Sequence, residues 1–191
     1  MLAVDLLATT EAGTRRRALV HNNPMNRTAL TAALIFASLA QAPGQMPFRV
    51  PDGQGVLFTA RGVGVQIYVS QPSPTKSGAF EWVLKGPDAI LLDSDGVRIG
   101  IHYAGPTWEA NDGSKAVGAK IASQDSPKPG AIPWFLLKAT PGGKPGIMGE
   151  VTYVIRVDTS GGAHPTRAPQ HAGDQARIKY RATCIFLGAA H

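Results

Sequence analysis

Apolar side chains in this chain recur at every second position. Val63, Val65, Ile67 and Val69 alternate with Gly64, Gln66, Tyr68 and Ser70. Phe80, Trp82 and Leu84 keep the same rhythm, as do Val151, Tyr153, Ile155 and Val157, and then Ile178, Tyr180, Ala182, Cys184 and Phe186. A period of two marks a strand with one face buried, because successive Cβ atoms point to opposite sides of a pleated backbone. Clusters of turn-forming residues separate the runs, among them Pro72-Ser73-Pro74, Asp93-Ser94-Asp95-Gly96, Pro127-Lys128-Pro129-Gly130 and Pro141-Gly142-Gly143. The 22 glycines and 15 prolines suit tight turns and oppose helices. No stretch after residue 41 has the 3.6-residue period of an amphipathic helix. The expectation is an all-β single domain, a barrel or sandwich of about nine or ten short antiparallel strands. An open sheet of that size would leave its edges and one apolar face uncovered.

The expected strands cover 56–60, 63–70, 80–85, 89–92, 97–103, 117–123, 132–139, 151–157 and 178–186. Arg61-Gly62 reads as a turn or bulge, and Gly86-Pro87 as a break. Residues 132–139 are apolar almost throughout, and their aromatics favour a strand over a short helix.

The ends of the chain carry different signals. Met25-Asn26-Arg27-Thr28 is a short basic start, 29–37 an apolar run, and Ser38-Leu39-Ala40 a small-residue end. This reads as a signal peptide over 25–40, cut before Gln41, with an apolar run too short to span a membrane. An amphipathic or buried N-terminal helix is the alternative. Residues 1–24 then form an upstream extension, 41–54 a Pro- and Gly-rich extended arm, and 55–191 the all-β domain. The expected address is secreted or periplasmic, with no stable membrane insertion after cleavage. The formal charge of +6 is spread along the chain without a basic stripe of interleaved aromatics, so no nucleic-acid partner is expected. A single cysteine, Cys184, excludes an internal disulfide. It shares a face with Tyr180 and Phe186 and reads as core, where a thiol stays protonated.

One stretch, residues 98–114, gathers most of the chemistry: His102, Tyr103, Trp108, Glu109 and Asp112, with Gly105-Pro106 and Asp112-Gly113 as turns. His102 could serve as general base or metal ligand, with Glu109 or Asp112 returned towards it by the Gly105-Pro106 turn. The plainer alternative is a histidine that hydrogen-bonds the loop backbone and holds the turn. Tyr103 and Trp108 could form a stacking platform for a flat ligand, or cap one end of a barrel. His164 and His171 lie in a long loop, 159–173, and with His102 could complete a three-histidine zinc site. Arg156 interrupts an apolar strand; it is a candidate ligand contact, although an ion pair with Asp158 is the reading favoured by their spacing. Asp93-Ser94-Asp95-Gly96 matches the start of a calcium loop but lacks its later bidentate acid, and a hairpin turn accounts for it. Zinc and calcium are the only cofactors these residues suggest. The chain has no Gly-Xaa-Ser-Xaa-Gly elbow, His-Glu-Xaa-Xaa-His pair or phosphate loop.

Several segments, taken in order, resemble a known family. They are Gly64-Val65-Gln66-Ile67-Tyr68, Trp82-Val83-Leu84-Lys85-Gly86-Pro87, Gly100-Ile101-His102-Tyr103-Ala104-Gly105-Pro106-Thr107-Trp108-Glu109, Ala131-Ile132-Pro133-Trp134-Phe135-Leu136-Leu137 and Val157-Asp158-Thr159-Ser160-Gly161-Gly162. The likeness is to the secreted bacterial and fungal domain-of-unknown-function family 3455, and it spans the mature chain. The resemblance implies a fold and an address, and no activity. A malate dehydrogenase label carried by some fungal members has no support here, since no Gly-rich turn joins a strand to a helix. Relatives often have cysteines where Ser70 stands and near Gln170; if those pair, this chain lacks both halves, and its 159–173 loop is tied down by packing alone. The resulting expectation is a protein that binds a small ligand at a barrel end formed by 102–114 and 159–173. The alternative is a small hydrolase of an ester, lactone or glycoside that uses a metal-activated water with His102 and Glu109.

Overall fold

In a computed structural model the chain is described over residues 47–190. The signal-peptide and upstream-extension readings, and residues 41–46 of the arm, lie outside the described residues. The described chain forms eight strands: β1 (Gln54–Pro72), β2 (Phe80–Leu92), β3 (Arg98–Tyr103), β4 (Thr107–Ala110), β5 (Ser114–Gln124), β6 (Trp134–Gly143), β7 (Tyr153–Gly161) and β8 (Gln175–Ala189). Each pairs antiparallel with its sequence neighbours, and β8 returns to β1, which closes the sheet into a barrel. One 3-10 turn, Ile147–Glu150, is the only helical element among the described residues. No helix there is long and apolar enough to cross a membrane.

The all-β expectation holds, with eight strands in place of nine or ten. Arg61-Gly62 does not break the chain: both residues pair with β2 and β8, so 56–60 and 63–70 are one strand. Gly86-Pro87 also stays in register, with Gly86 opposite Ile67 at a bulge, and 80–85 joins 89–92. Against these two mergers, residues 107–110 are a strand where the sequence suggested a loop. Four residues are too few to display a period.

The meander sets two ends. The connections 73–79, 104–106, 125–133 and 162–174 lie at one end, here called upper, and 93–97, 111–113 and 144–152 lie at the lower. The main apolar core inside the barrel is Leu91, Trp108, Leu137, Val154, Cys184 and Phe186, with Met148 and Val151 packed in from the 144–152 connection. The Phe58 and Phe186 rings stack at 4.5 Å. A second apolar cluster lies on the outer wall of β6, β7 and β8, where Leu136, Ile155, Val157 and Leu187 are covered by Phe48 and Val50 of the arm. The upper end is strapped. Ile132 N–H donates to Gly161 O at 3.0 Å, Thr159 Oγ1 donates to Ile132 O, and Tyr68 OH donates to Gly162 O at 2.7 Å.

Which face of each strand points inward differs from a simple apolar-in reading. On β1 the inward set is Gln66, Tyr68 and Ser70, all buried, and the valines line the outer wall. On β5, Val117 and Ile121 are 37% and 55% exposed, while Ala116 and Gly118 face inward. The reason lies opposite. A Cβ at Gly118 would stand 2.9 Å from Trp108 Cζ3, so this wall must be small to admit the indole.

Candidate functional site

Strand alternation splits the 98–114 stretch between the two sides of the wall. His102 and Trp108 are cross-strand partners that point inward, with ring centroids 4.5 Å apart and planes 7° from parallel. His102 Nδ1 lies 2.9 Å from Thr107 O. A carbonyl only accepts, so Nδ1 carries the proton and Nε2 presents a lone pair, which no protein group meets. Burial pushes the His102 pKa down to about 4, the Thr107 hydrogen bond opposing in part, so the ring is neutral at ordinary pH.

Tyr103 and Glu109 point outward. Tyr103 OH donates to Glu109 Oε2 at 2.9 Å, and Lys115 Nζ lies 3.1 Å from the same oxygen. These two partners, Tyr103 first, hold the Glu109 carboxyl below its ordinary range. His102 and Glu109 therefore do not form one acid–base or metal pair, and Tyr103 and Trp108 do not form one platform. Asp112 sits in the lower β4–β5 turn, at the opposite end from 162–174. Its carboxylate accepts from Ser114 N–H and Oγ and from Ile147 N–H, which ties the 3-10 turn to the barrel. These hydrogen bonds also hold its pKa below the usual value, Ser114 contributing most. The site expected from 102–114 and 159–173 together is thus divided between ends and faces, because a strand crosses the barrel between its two turns.

The three histidines do not converge. His164 and His171 are exposed, His164 edge-on to Tyr68 at 6.1 Å and His171 3.8 Å from Asp174, whereas His102 is inside. Among the described residues no three His, Cys, Asp or Glu side chains are grouped to hold a metal. Asp93 Oδ1 accepts from Asp95 and Val97 N–H, which is the hairpin reading of that turn. The 159–173 loop is held by more than packing: Ser70 N–H donates to Asp174 O at 2.8 Å and Gly173 N–H to Ser70 O at 3.0 Å.

Arg156 is the larger correction. It makes no ion pair with Asp158, because a bulge between Val157 and Ser160, with Asp158 at φ 50°, separates the two. Arg156 points inward and is 8% exposed; Asp158 is exposed outside. The guanidinium lies 4.2 Å over the Phe135 ring and Nη2 donates to Pro133 O at 2.9 Å, while Nε finds no partner. Burial lowers its pKa, opposed by Cys184, Tyr180 and Tyr68 nearby.

The interior also carries polar groups that are incompletely bonded. Gln66 Nε2, Ser70 Oγ, His102 Nε2 and Tyr180 OH are buried without a protein partner. His102, Ala89, Gly64 and Tyr180 form one continuous row across β3, β2, β1 and β8, so only an alanine and a glycine separate the two polar rings. Gln66, Tyr68, Tyr180 and Phe135 escape sequence reading, since each sits in an alternating run that looks like ordinary packing. The buried arginine was the signal that could have found them.

A family model described as a protein of unknown function, DUF3455, matches residues 51–188. No curated protein and no solved structure matches the chain.

Proposed function

We propose, since the chain belongs to the DUF3455 family of proteins of unknown function and its role must be read from its own residues, that it binds a small ligand in the upper half of the barrel interior. One observation carries this reading: the interior-facing polar atoms of Gln66, Ser70, His102 and Tyr180 are buried and unpartnered. A buried polar group without a partner costs about 1–3 kcal/mol, and several on one interior are a burden that a bound molecule would lift. The walls around them are rigid strands, which suits a preorganised binding site. We further propose a secreted or periplasmic address, on the strength of the basic start, apolar run and small-residue end of 25–40.

A thermal-shift screen of the mature protein against charged, zwitterionic and neutral small molecules tests the binding. A true ligand at about 100 times its Kd should stabilise the fold by about 2.7 kcal/mol. Gln66→Leu and Tyr180→Phe should reduce that shift. A screen in which no compound moves the wild-type transition, or in which the shifts survive both substitutions, would sink the reading.

A further inference from the structure

We infer that the ligand of the barrel interior is an organic anion, admitted past Lys120 and Phe135 at the upper mouth and held on Arg156. The inference rests on the interior-binding reading above and gives it a chemical class.

Three observations meet here. Arg156 is a buried cation without a counter-charge: the buried polar residues are Gln66, Ser70, His102, Thr107, Ser114, Arg156 and Thr159, with no acid among them. A desolvated charge is retained at a cost unless something of opposite sign compensates it. Lys120 is the second cation. It pairs with Leu137, whose side chain is in the core, so it stands on the interior face of the wall. Lys120 itself is exposed. The β5 bulge lies directly after it, Ile121 being the extra residue, and neither Lys120 nor Arg156 takes part in an ion pair among the described residues. Third, the two cations share one aromatic ring. Lys120 Nζ is 5.0 Å and the Arg156 guanidinium 4.2 Å from the half-buried Phe135. Phe135 therefore links an exposed cation to a buried one.

Three of the remaining interior groups favour an acceptor. Arg156 Nε and Gln66 Nε2 are donors, and Tyr180 OH, kept protonated by burial, can donate as well. His102 is the exception: its ring is neutral and its unpartnered Nε2 presents a lone pair, so it would meet a donor on the ligand rather than the anionic group. The ligand's anionic group is placed on Arg156 and its apolar body against Phe135. A carboxylate on a small apolar body fits both; inorganic phosphate offers the charge without the body.

The experiment uses the mature protein, with thermal shift and the fluorescence of Trp108 and Trp134 as readouts, and benzoate, hexanoate, benzamide and inorganic phosphate as probes. Either acid should bind at least about tenfold more tightly than benzamide, the worth of one charge-assisted hydrogen bond. Lys120→Gln should weaken the acid several-fold and flatten its salt dependence, since Lys120 is a mouth charge. Arg156→Met should abolish acid binding. Because Arg156→Met could also disturb folding, Lys120→Glu is the second variant, and it should weaken the acids more than Lys120→Gln does. Benzamide binding as well as benzoate would overturn the anion inference and leave the interior-binding reading standing. Phosphate binding as tightly as the acids would overturn the organic part. Failure of every probe, together with failure of the broad screen above, would overturn both readings.

Discussion

Lowering the pH should destabilise this barrel through one residue, His102. In the folded protein its pKa is pushed down to about 4, whereas an unfolded histidine titrates near about 6.5. Above pH 6.5 the ring is neutral in both states and costs nothing. Between 6.5 and 4 the unfolded chain binds a proton that the folded chain refuses, so stability falls as pH falls. The limiting slope is about 1.4 kcal/mol per pH unit, giving a loss of about 2 kcal/mol between pH 7 and pH 5. For a domain of this size that lowers Tm by about 6 °C. The structure supplies the cause: the ring is 1% exposed, stacked on Trp108, and its one bonded nitrogen already donates to Thr107. The assay is urea or thermal unfolding from pH 7.5 to 4.5 on wild type and His102→Gln. The variant will be less stable overall, but its slope above pH 5 should be nearly flat. Glu109 and Asp112, whose carboxyls are held low, lose their contributions only at more acid pH and remain in both proteins. Equal slopes for the two proteins, or a native His102 that titrates near 6.5 by NMR, would refute the reasoning.

Other expectations are quickly checked. Cys184 is fully buried and its pKa is raised to about 11, so a thiol reagent should label it only after denaturation; rapid labelling of native protein would contradict its placement. Phe48→Ala should cost about 1–2 kcal/mol in urea unfolding by uncovering the outer cluster of Leu136, Ile155 and Leu187, and no loss would mean the arm is not docked. Gly64→Ala should cost more than Gly118→Ala: its Cβ would stand 2.2 Å from the Asp88 carbonyl, which is backbone, whereas Gly118 meets the Trp108 and Leu137 side chains, which can shift. N-terminal sequencing of protein exported from a bacterial host should begin at Gln41, and a stable periplasmic product that retains residues 1–40 would contradict the signal-peptide reading.

The alternating runs were sufficient to determine fold class. Side chains two apart share a face, and Gly and Pro between the runs turn the chain, so 63–70, 151–157 and 178–186 could be read as strands without any structure. Cys184 could be placed in the core for the same reason. The histidine's plainer role was legible as well, since a residue beside Gly105-Pro106 is well placed to bond the turn, and His102 does bond Thr107. Tertiary structure decided which face of each strand is inside. A period of two is symmetric between the faces, and only closure of β8 onto β1 breaks that symmetry. It put Gln66, Tyr68 and Arg156 inside, sent Glu109 and Val117 out, and kept Asp112 at the far end from His164. Nearness in sequence gathered His102 and Glu109 into one candidate site, but they differ by an odd number of positions across a tight hairpin, and the pleat sets such residues on opposite sides of the wall. Arg156 and Lys120 are brought to one ring from different strands by register and a bulge, both products of the closed sheet.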